Sequence, residues 1–318
     1  MLRILIVTPA PRSSRKGNRV TANRWATLLR KLGHRVDVAG EFKQQRRDML
    51  IALHARKSAV SIARFAHRHA DRPLIVALTG TDLYQDLRTS EAARKTLGLA
   101  SRIVLLQPHG LHELDPSLHA RCRVIYQSAK PLLNAPPPLK TAFEVCVSGH
   151  LRPVKDPFRA AIASRELPDD SRIRITHLGA ALSNAMRNQA LHEMSQNPRY
   201  TWMGEVAGWR ARQILARSKL MVLSSELEGG ANVISEALAA NVPILASKIS
   251  GSIGLLGEDY PGFFDFGDTH QLAQLLSRCE CDSPFLRRLK TACRNRKSIT
   301  KPALERDSWK KLIRELPH

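Results

Sequence analysis

No stretch of this 318-residue sequence comes near the ~18 consecutive apolar residues that a membrane-spanning helix needs; the longest runs, such as Leu74–Leu78, are far shorter. The first apolar run, Ile4–Val7, is too short for a signal-peptide core, and no small-residue cleavage site follows it, so a cytoplasmic protein is expected. Cysteine is scarce: there are five, an odd number, with no Cys-x-x-Cys pair and only Cys279-x-Cys281 close together, which excludes a disulfide framework and fits a reducing compartment. Aromatic residues make up 5% of the chain. With neither zinc-finger spacing nor an aromatic-rich RNA-binding signature, nucleic acid is not an expected partner. Metal ligation is not expected either, because His67 with His69, His109 with His112, and Cys279 with Cys281 each lack a third ligand at metal spacing.

Acidic residues are also few, 28 against 50 basic ones, for a net charge of +22. Thirty-five of the basic residues are arginine, whose planar fork suits phosphate and carboxylate. The charge is uneven: residues 1–138 hold 24 basic and 9 acidic side chains, net +15, and residues 139–318 hold 26 and 19, net +7. A basic surface without a specific partner would look the same, so charge alone selects no function.

What is present is a repeated strand-then-helix pattern. LRILIVT, RVDVA, DMLIALH, PLIVALTG, SRIVLLQ and CRVIYQ read as short buried strands, most separated by amphipathic helical stretches such as Ser58–Arg68. The first helix runs from about Asn18, with Val20, Trp25, Leu28, Leu29 and Leu32 near one face and Gly33 closing it. The proline run in Asn134–Ala142 reads as a semi-rigid linker, after which the alternation restarts with FEVCVSG, RIRITHLG, KLMVLSS and VPILAS. The pattern predicts an α/β chain of two Rossmann-like domains with parallel sheets, residues 1–138 and 139–300, followed by a terminal helix over 301–318. Oligomeric state is not legible.

In open parallel sheets ligands bind beyond the carboxyl ends of the strands. The most informative loop is therefore LMVLSSELEGGANVISEALAANVPILAS: a strand end, Glu228, two glycines, then a helix opening near Ala231–Asn232 and carrying Glu236. Gly229 and Gly230 allow close backbone approach, the helix N-terminus suits phosphate, and a carboxylate such as Glu236 can take a pair of sugar hydroxyls.

Those residues resemble the retaining glycosyltransferases of the GT-B fold, the glycogen-synthase-like group, in which two parallel sheets face a cleft. Glu228 and Glu236 match the family's two glutamates, AANVPILAS the segment after them, VSGHLRPVKDP its Gly-Arg-Leu-x-x-x-Lys segment, THLGAAL a glycine-containing strand end, and SGSIGLL a glycine turn. The resemblance implies a UDP-sugar as co-substrate and no further cofactor. It gives Lys155 to the donor diphosphate, Glu236 to the ribose, and Glu228 to the donor sugar near its C3 and C4 hydroxyls. The 229–233 amides (Gly229, Gly230, Ala231, Asn232, Val233) would cradle phosphate and sugar, with Gly179 nearby. His150 stands where the family has arginine, with Arg152 as a substitute; Thr79 stands where the family has a first-domain histidine. No Asp-x-Asp occurs, which suits metal-independent transfer.

RILIVTPAPRSSRKGNRV, IALHARKSA, VALTGTDLY, VIYQSAKP, GHLRPVKDPFRAA and GLLGEDYPGFF together look like the family of selenosugar synthases. That resemblance implies selenophosphate as acceptor, a C–Se bond in the product, and release of UDP and phosphate. The expected acceptor residues are Ser13, Ser14, Lys16, Gly17, Asn18 and Arg19 in the first loop, with Thr79, Thr81, Asp82 and His54. Hydroxyls, cations and a glycine ahead of a helix make such a loop an anion site or a solvated basic loop. Two rival readings are transfer to a hydroxyl of a lipid or small molecule, and a GT-B-shaped nucleotide-sugar-binding protein without turnover.

Overall fold

A computed structural model describes residues 1–12 and 17–316. The chain divides into two compact units, one of Met1–Gln127 with Glu228–Gly230 and Pro302–His318, the other of Ser128–Leu227 with Ala231–Lys301. The proline run therefore lies inside the second unit, and the final helix belongs with the first.

In the first unit the elements are β1 (Arg3–Val7), α1 (Gly17–Lys31), β2 (Arg35–Ala39), β3 (Met49–Leu53), α2 (Ala59–Arg68), β4 (Leu74–Ala77), α3 (Leu87–Thr89), α4 (Glu91–Leu99), β5 (Arg102–Leu105) and β6 (Cys122–Val124). The six strands are all parallel, in the order β2-β1-β3-β4-β5-β6. Strands buried on both faces read as unbroken apolar runs, as Met49–Leu53 does, every residue of it buried. One side of the sheet carries Ile4, Ile6, Ile51, Ile75 and Val104 against Trp25 and Leu29 of α1.

The same core contains Trp309 and Leu312 of α12 (Pro302–Arg314). Trp25 and Trp309 meet edge to face at 4.8 Å between ring centroids. Glu305, fully buried, accepts the Trp25 indole N–H at 2.8 Å and pairs with Arg24 at 3.1 Å. A buried carboxylate is tolerated only with such partners.

The second unit holds β7 (Phe143–Ser148), α5 (Arg159–Ser164), β8 (Ile173–Leu178), α6 (Asn184–Gln196), β9 (Tyr200–Trp202), α7 (Gly208–Arg217), β10 (Leu220–Leu223), α8 (Asn232–Ala240), β11 (Ile244–Ser247), α9 (Ser250–Leu256), β12 (Phe263–Phe264), α10 (Thr269–Cys281) and α11 (Ser283–Arg296). Its parallel sheet runs β12-β11-β10-β7-β8-β9. The strand order reverses direction beside β7, whose neighbours are β8 and β10; in the first sheet the reversal lies at β1, between β2 and β3. Such reversals open a crevice at the carboxyl ends of the flanking strands. The loops after β7, β10, β1 and β3 are among those that sequence reasoning singled out; Thr79–Asp82, after β4, and Gly179, after β8, lie one strand further out.

Candidate active site

In the second unit, the segment after β7 runs Gly149, His150, Leu151, Arg152 and then a tight turn, Pro153–Lys155. Asp156 follows in the left-handed region, φ 42°, which turns the chain sharply behind Lys155. That turn is fastened to the neighbouring strand end: Ser224 donates its hydroxyl to the Asp156 carbonyl at 2.7 Å, and the Glu226 N–H donates to the Val154 carbonyl at 3.0 Å. Arg159 closes it from the other side, pairing with the Asp156 carboxylate at 2.7 Å and donating to the Thr269 hydroxyl at 2.6 Å. Lys155 is thus carried on a rigid turn rather than on a free loop.

Beyond β10, α8 opens at Ala231, a residue whose methyl group offers no capping oxygen. Ala231 and Asn232 start the helix, Val233 follows, and Glu236 stands half-buried one turn in. The positive end of the helix dipole favours an anion at that point.

Gly179, after β8, has φ 148° and lies against Gly149: a Cβ built on it would fall 2.0 Å from the Gly149 carbonyl oxygen and 2.9 Å from the His150 nitrogen. Only glycine fits. The Ala180 N–H donates to Nδ1 of His150 at 3.1 Å, which fixes the ring.

In the first unit, Glu228 is buried, and the two glycines after it are pressed against protein rather than open space. A Cβ on Gly229 would come within 2.5 Å of the Thr79 backbone, and one on Gly230 within 2.5 Å of Leu106. The Gly230 carbonyl accepts from the side-chain amide of Gln127, whose oxygen in turn takes Thr21 and Arg24. Both glycines thus allow close approach within the protein, Gly229 to the Thr79 backbone and Gly230 to the Leu106 side chain.

Asp82, fully buried, organises the loop after β4. Its Oδ1 accepts the N–H groups of Thr79 and Gly80, both at 2.9 Å, and its Oδ2 accepts the Ala55 N–H at 3.1 Å. The carboxylate expected at the acceptor therefore holds the backbone on either side of it, Thr79–Gly80 and the turn after β3. Residues Asp82–Asp86 form a widened π-type turn, a rare feature that often marks functional positions.

His54 ends β3 with φ 72°, an uncommon conformation for a residue with a side chain, and is 2% exposed. Burial lowers its pKa; Lys57 and Arg56 push the same way, against the carboxylates of Asp82 and Asp86. The neutral ring takes the Lys57 N–H on Nδ1 and points Nε2 at the Thr81 hydroxyl, 3.3 Å away. Arg56 pairs with Asp86 at 2.9 Å, leaving the second Asp86 oxygen 3.8 Å from His54.

Of the first-loop residues, Gly17 and Asn18 form the opening turn of α1. Arg19 is 4% exposed and donates to the carbonyls of Ala10 at 2.7 Å and Pro11 at 3.1 Å, so it buttresses its own loop. Ser13, Ser14 and Lys16 lie outside the described residues. Sequence reasoning missed Ser224, Arg159 and Gln127, whose hydrogen bonds hold the loops in place; a serine at a strand end and a lone glutamine carry no pattern of their own.

A family model for glycosyl transferases group 1 matches residues 133–296, just over half of the chain. The chain belongs to the group 1 glycosyl transferases. This glycosyl transferase is also 25% identical over 260 residues, 74% of each chain, to glycosyltransferase 1 domain-containing protein 1 of Xenopus tropicalis. Among solved structures it is similar to Anabaena Alr3699/HepE in complex with UDP and glucose, with a TM-score of 0.78 and 17% identity over 99% of this chain and 100% of that one. Sucrose-phosphate synthase from Thermosynechococcus elongatus is similar too, with a TM-score of 0.77 and 14% identity over 98% of each chain. The two parallel-sheet units, six strands each, are those of the GT-B fold. Among the described residues no helix is long and apolar enough to cross a membrane.

Proposed function

We propose that this glycosyl transferase moves a sugar from a UDP-sugar to selenophosphate. The anomeric C–O bond to UDP breaks and a C–Se bond forms; water then takes the phosphoryl group from selenium, so that UDP, phosphate and a selenosugar are released. The observation that carries the donor half is the pair of elements flanking the β7 strand reversal: the braced Lys155 turn and the N-terminal end of α8 with Glu236 one turn behind it. Leaving-group charge builds on the diphosphate as the glycosidic bond breaks, and fixed cations stabilise it without reorganising. Lys155 and Arg152 supply that charge in this reading and His150 adds a hydrogen bond, so no divalent ion is required, while Glu236 accepts the ribose hydroxyls and Glu228 holds the sugar. The similar Anabaena protein is described in complexes with UDP and with UDP-glucose, which supports a uridine donor here.

The selenophosphate half is supported by the motifs spread along the chain and by the excess positive charge of residues 1–138, which suits a small polyanion. A selenium nucleophile that arrives ionised needs no strong base, consistent with Thr79 in the place of a histidine. The rival reading, transfer to a hydroxyl, finds no base in His54: its Nδ1 accepts from Lys57, so the neutral ring carries its proton on Nε2, facing the Thr81 hydroxyl.

Mass spectrometry of reactions containing a panel of UDP-sugars with selenophosphate, inorganic phosphate or alcohol acceptors tests both. A selenium-containing sugar with matching UDP release is the expected result. UDP release only with alcohols would replace the acceptor, and no turnover with any pair, despite UDP binding, would leave a binding protein.

A further inference from the structure

Behind the Gly149–His150 backbone lies a set of polar side chains that the proposed transfer has not used. His177 ends β8, 1% exposed, with Nε2 at 3.2 Å from the Gly149 carbonyl and Nδ1 at 3.0 Å from the Tyr200 hydroxyl. A carbonyl only accepts, so Nε2 carries the proton, and Nδ1 accepts from Tyr200. Both bonds require the neutral ring, and burial holds this imidazole at a pKa of about 4. Two residues further along β9, the Trp202 indole donates to the Gly179 carbonyl at 2.8 Å, while the Gly179 N–H donates to the Gly204 carbonyl at 2.8 Å. Gly149 and Gly179 are the two backbones in close approach, and the peptide after Gly179 supplies the N–H that binds His150 Nδ1.

With Nδ1 accepting, the neutral His150 ring must carry its proton on Nε2. Each hydrogen bond in this chain therefore passes a constraint outward, from buried rings through two glycine peptides to one half-buried imidazole.

We propose that His177, Tyr200 and Trp202 are positioning residues that hold His150 as an Nε2–H hydrogen-bond donor to the diphosphate of the nucleotide sugar. The proposal rests on the donor reading given above. It explains how a neutral side chain can occupy the place of an arginine: its geometry is set in advance, which offsets the charge it lacks.

The test is UDP binding by calorimetry to the full chain and to the variants His150→Ala, Tyr200→Phe, His177→Phe, His177→Gln and His150→Ala/Tyr200→Phe. Loss of the His150 contact should weaken UDP about tenfold, and loss of either buried partner somewhat less. His177→Gln, whose amide can still donate to Gly149, should retain more affinity than His177→Phe. In the His150→Ala background, Tyr200→Phe should cost nothing further, because its effect passes through His150. Equal losses from Tyr200→Phe in both backgrounds would mean a structural role and overturn the proposal. Unchanged UDP affinity in Tyr200→Phe would overturn it as well, and this variant, which removes one oxygen, keeps the test decisive should His177→Phe fail to fold. A wild-type chain that does not bind UDP would overturn the donor reading itself, an outcome separate from all of these.

Discussion

Ser224 donates its hydroxyl to the carbonyl of Asp156 at 2.7 Å, tying the end of β10 to the turn that carries Lys155. The bond joins the two strands at which the second sheet reverses, so the lysine's position is set by the sheet itself. Lys155→Ala should lower turnover by about 3 kcal/mol in the transition state, roughly two orders of magnitude, with the fold intact. Ser224→Ala should lower it several-fold through the turn alone. Steady-state kinetics on both variants, with circular dichroism as a folding control, checks the ranking; equal rates in wild type and Lys155→Ala would remove Lys155 from the site.

Glu236→Gln keeps the shape of the side chain and removes its charge. A charge-assisted hydrogen bond to a hydroxyl is about twice as strong as a neutral one, so UDP should bind about tenfold more weakly while UMP and UDP are affected alike. Titration calorimetry with both nucleotides decides it. A loss confined to UDP would place Glu236 at the diphosphate.

Gly179→Ala should destabilise the second unit by about 2–4 kcal/mol, since the new methyl group meets the Gly149 carbonyl and the backbone conformation is strained for any side chain. Gly204→Ala, also at positive φ but with open space around it, should cost less. Urea denaturation of the two variants measures the difference.

Asp82→Ala leaves the buried N–H groups of Thr79, Gly80 and Ala55 without their acceptor. The expected outcome is a loss of about 2–4 kcal/mol in stability rather than a selective rise in acceptor KM. Arg19→Ala should likewise loosen the loop at Ala10–Pro11, so neutralising Arg19 is not a clean probe of acceptor charge. Thermal melts beside acceptor kinetics separate the two effects.

The pH dependence of stability follows from His177. Its pKa in the fold is about 4, against an ordinary value of about 6.5 in the unfolded chain. Between those values the unfolded chain binds a proton that the fold refuses, so this group's contribution is complete above pH ~6.5 and is lost as pH falls toward 4, by about 2 kcal/mol at pH 5. Urea denaturation of wild type and His177→Gln across pH 5–8 should show a shallower slope in the variant; parallel curves would show that His177 is not held neutral.

Much of the architecture was legible because parallel strands announce themselves as apolar runs and their helices as amphipathic ones. The Lys155 segment came to notice only through the family resemblance, while the start of α8 was readable from the glycines that follow a strand end. Shorter pieces were not: β9 and β12, three and two residues long, cannot carry a period. The division of the chain after Gln127 rests on packing, while composition draws attention to the prolines some ten residues later. The pairing of α12 with α1 depends on Glu305 and Trp309 meeting Arg24 and Trp25, nearly the length of the chain away. His177 reads in sequence as one more buried strand residue; its two partners come from β9 and from the loop after β7, which only the sheet order brings together.

The return of α12 sets the order in which this protein can mature on the ribosome. Trp309, Leu312, Ile313 and Leu316 complete a core whose other members lie within the first 125 residues, so an emerging chain holds that core open while the whole second sheet is synthesised. The second unit, contiguous apart from Glu228–Gly230, can close as soon as its own residues emerge. For the first unit, the exposed seam between α1 and the sheet is the surface a nascent-chain chaperone would meet, and ribosome-stalled chains ending before Pro302 would display it.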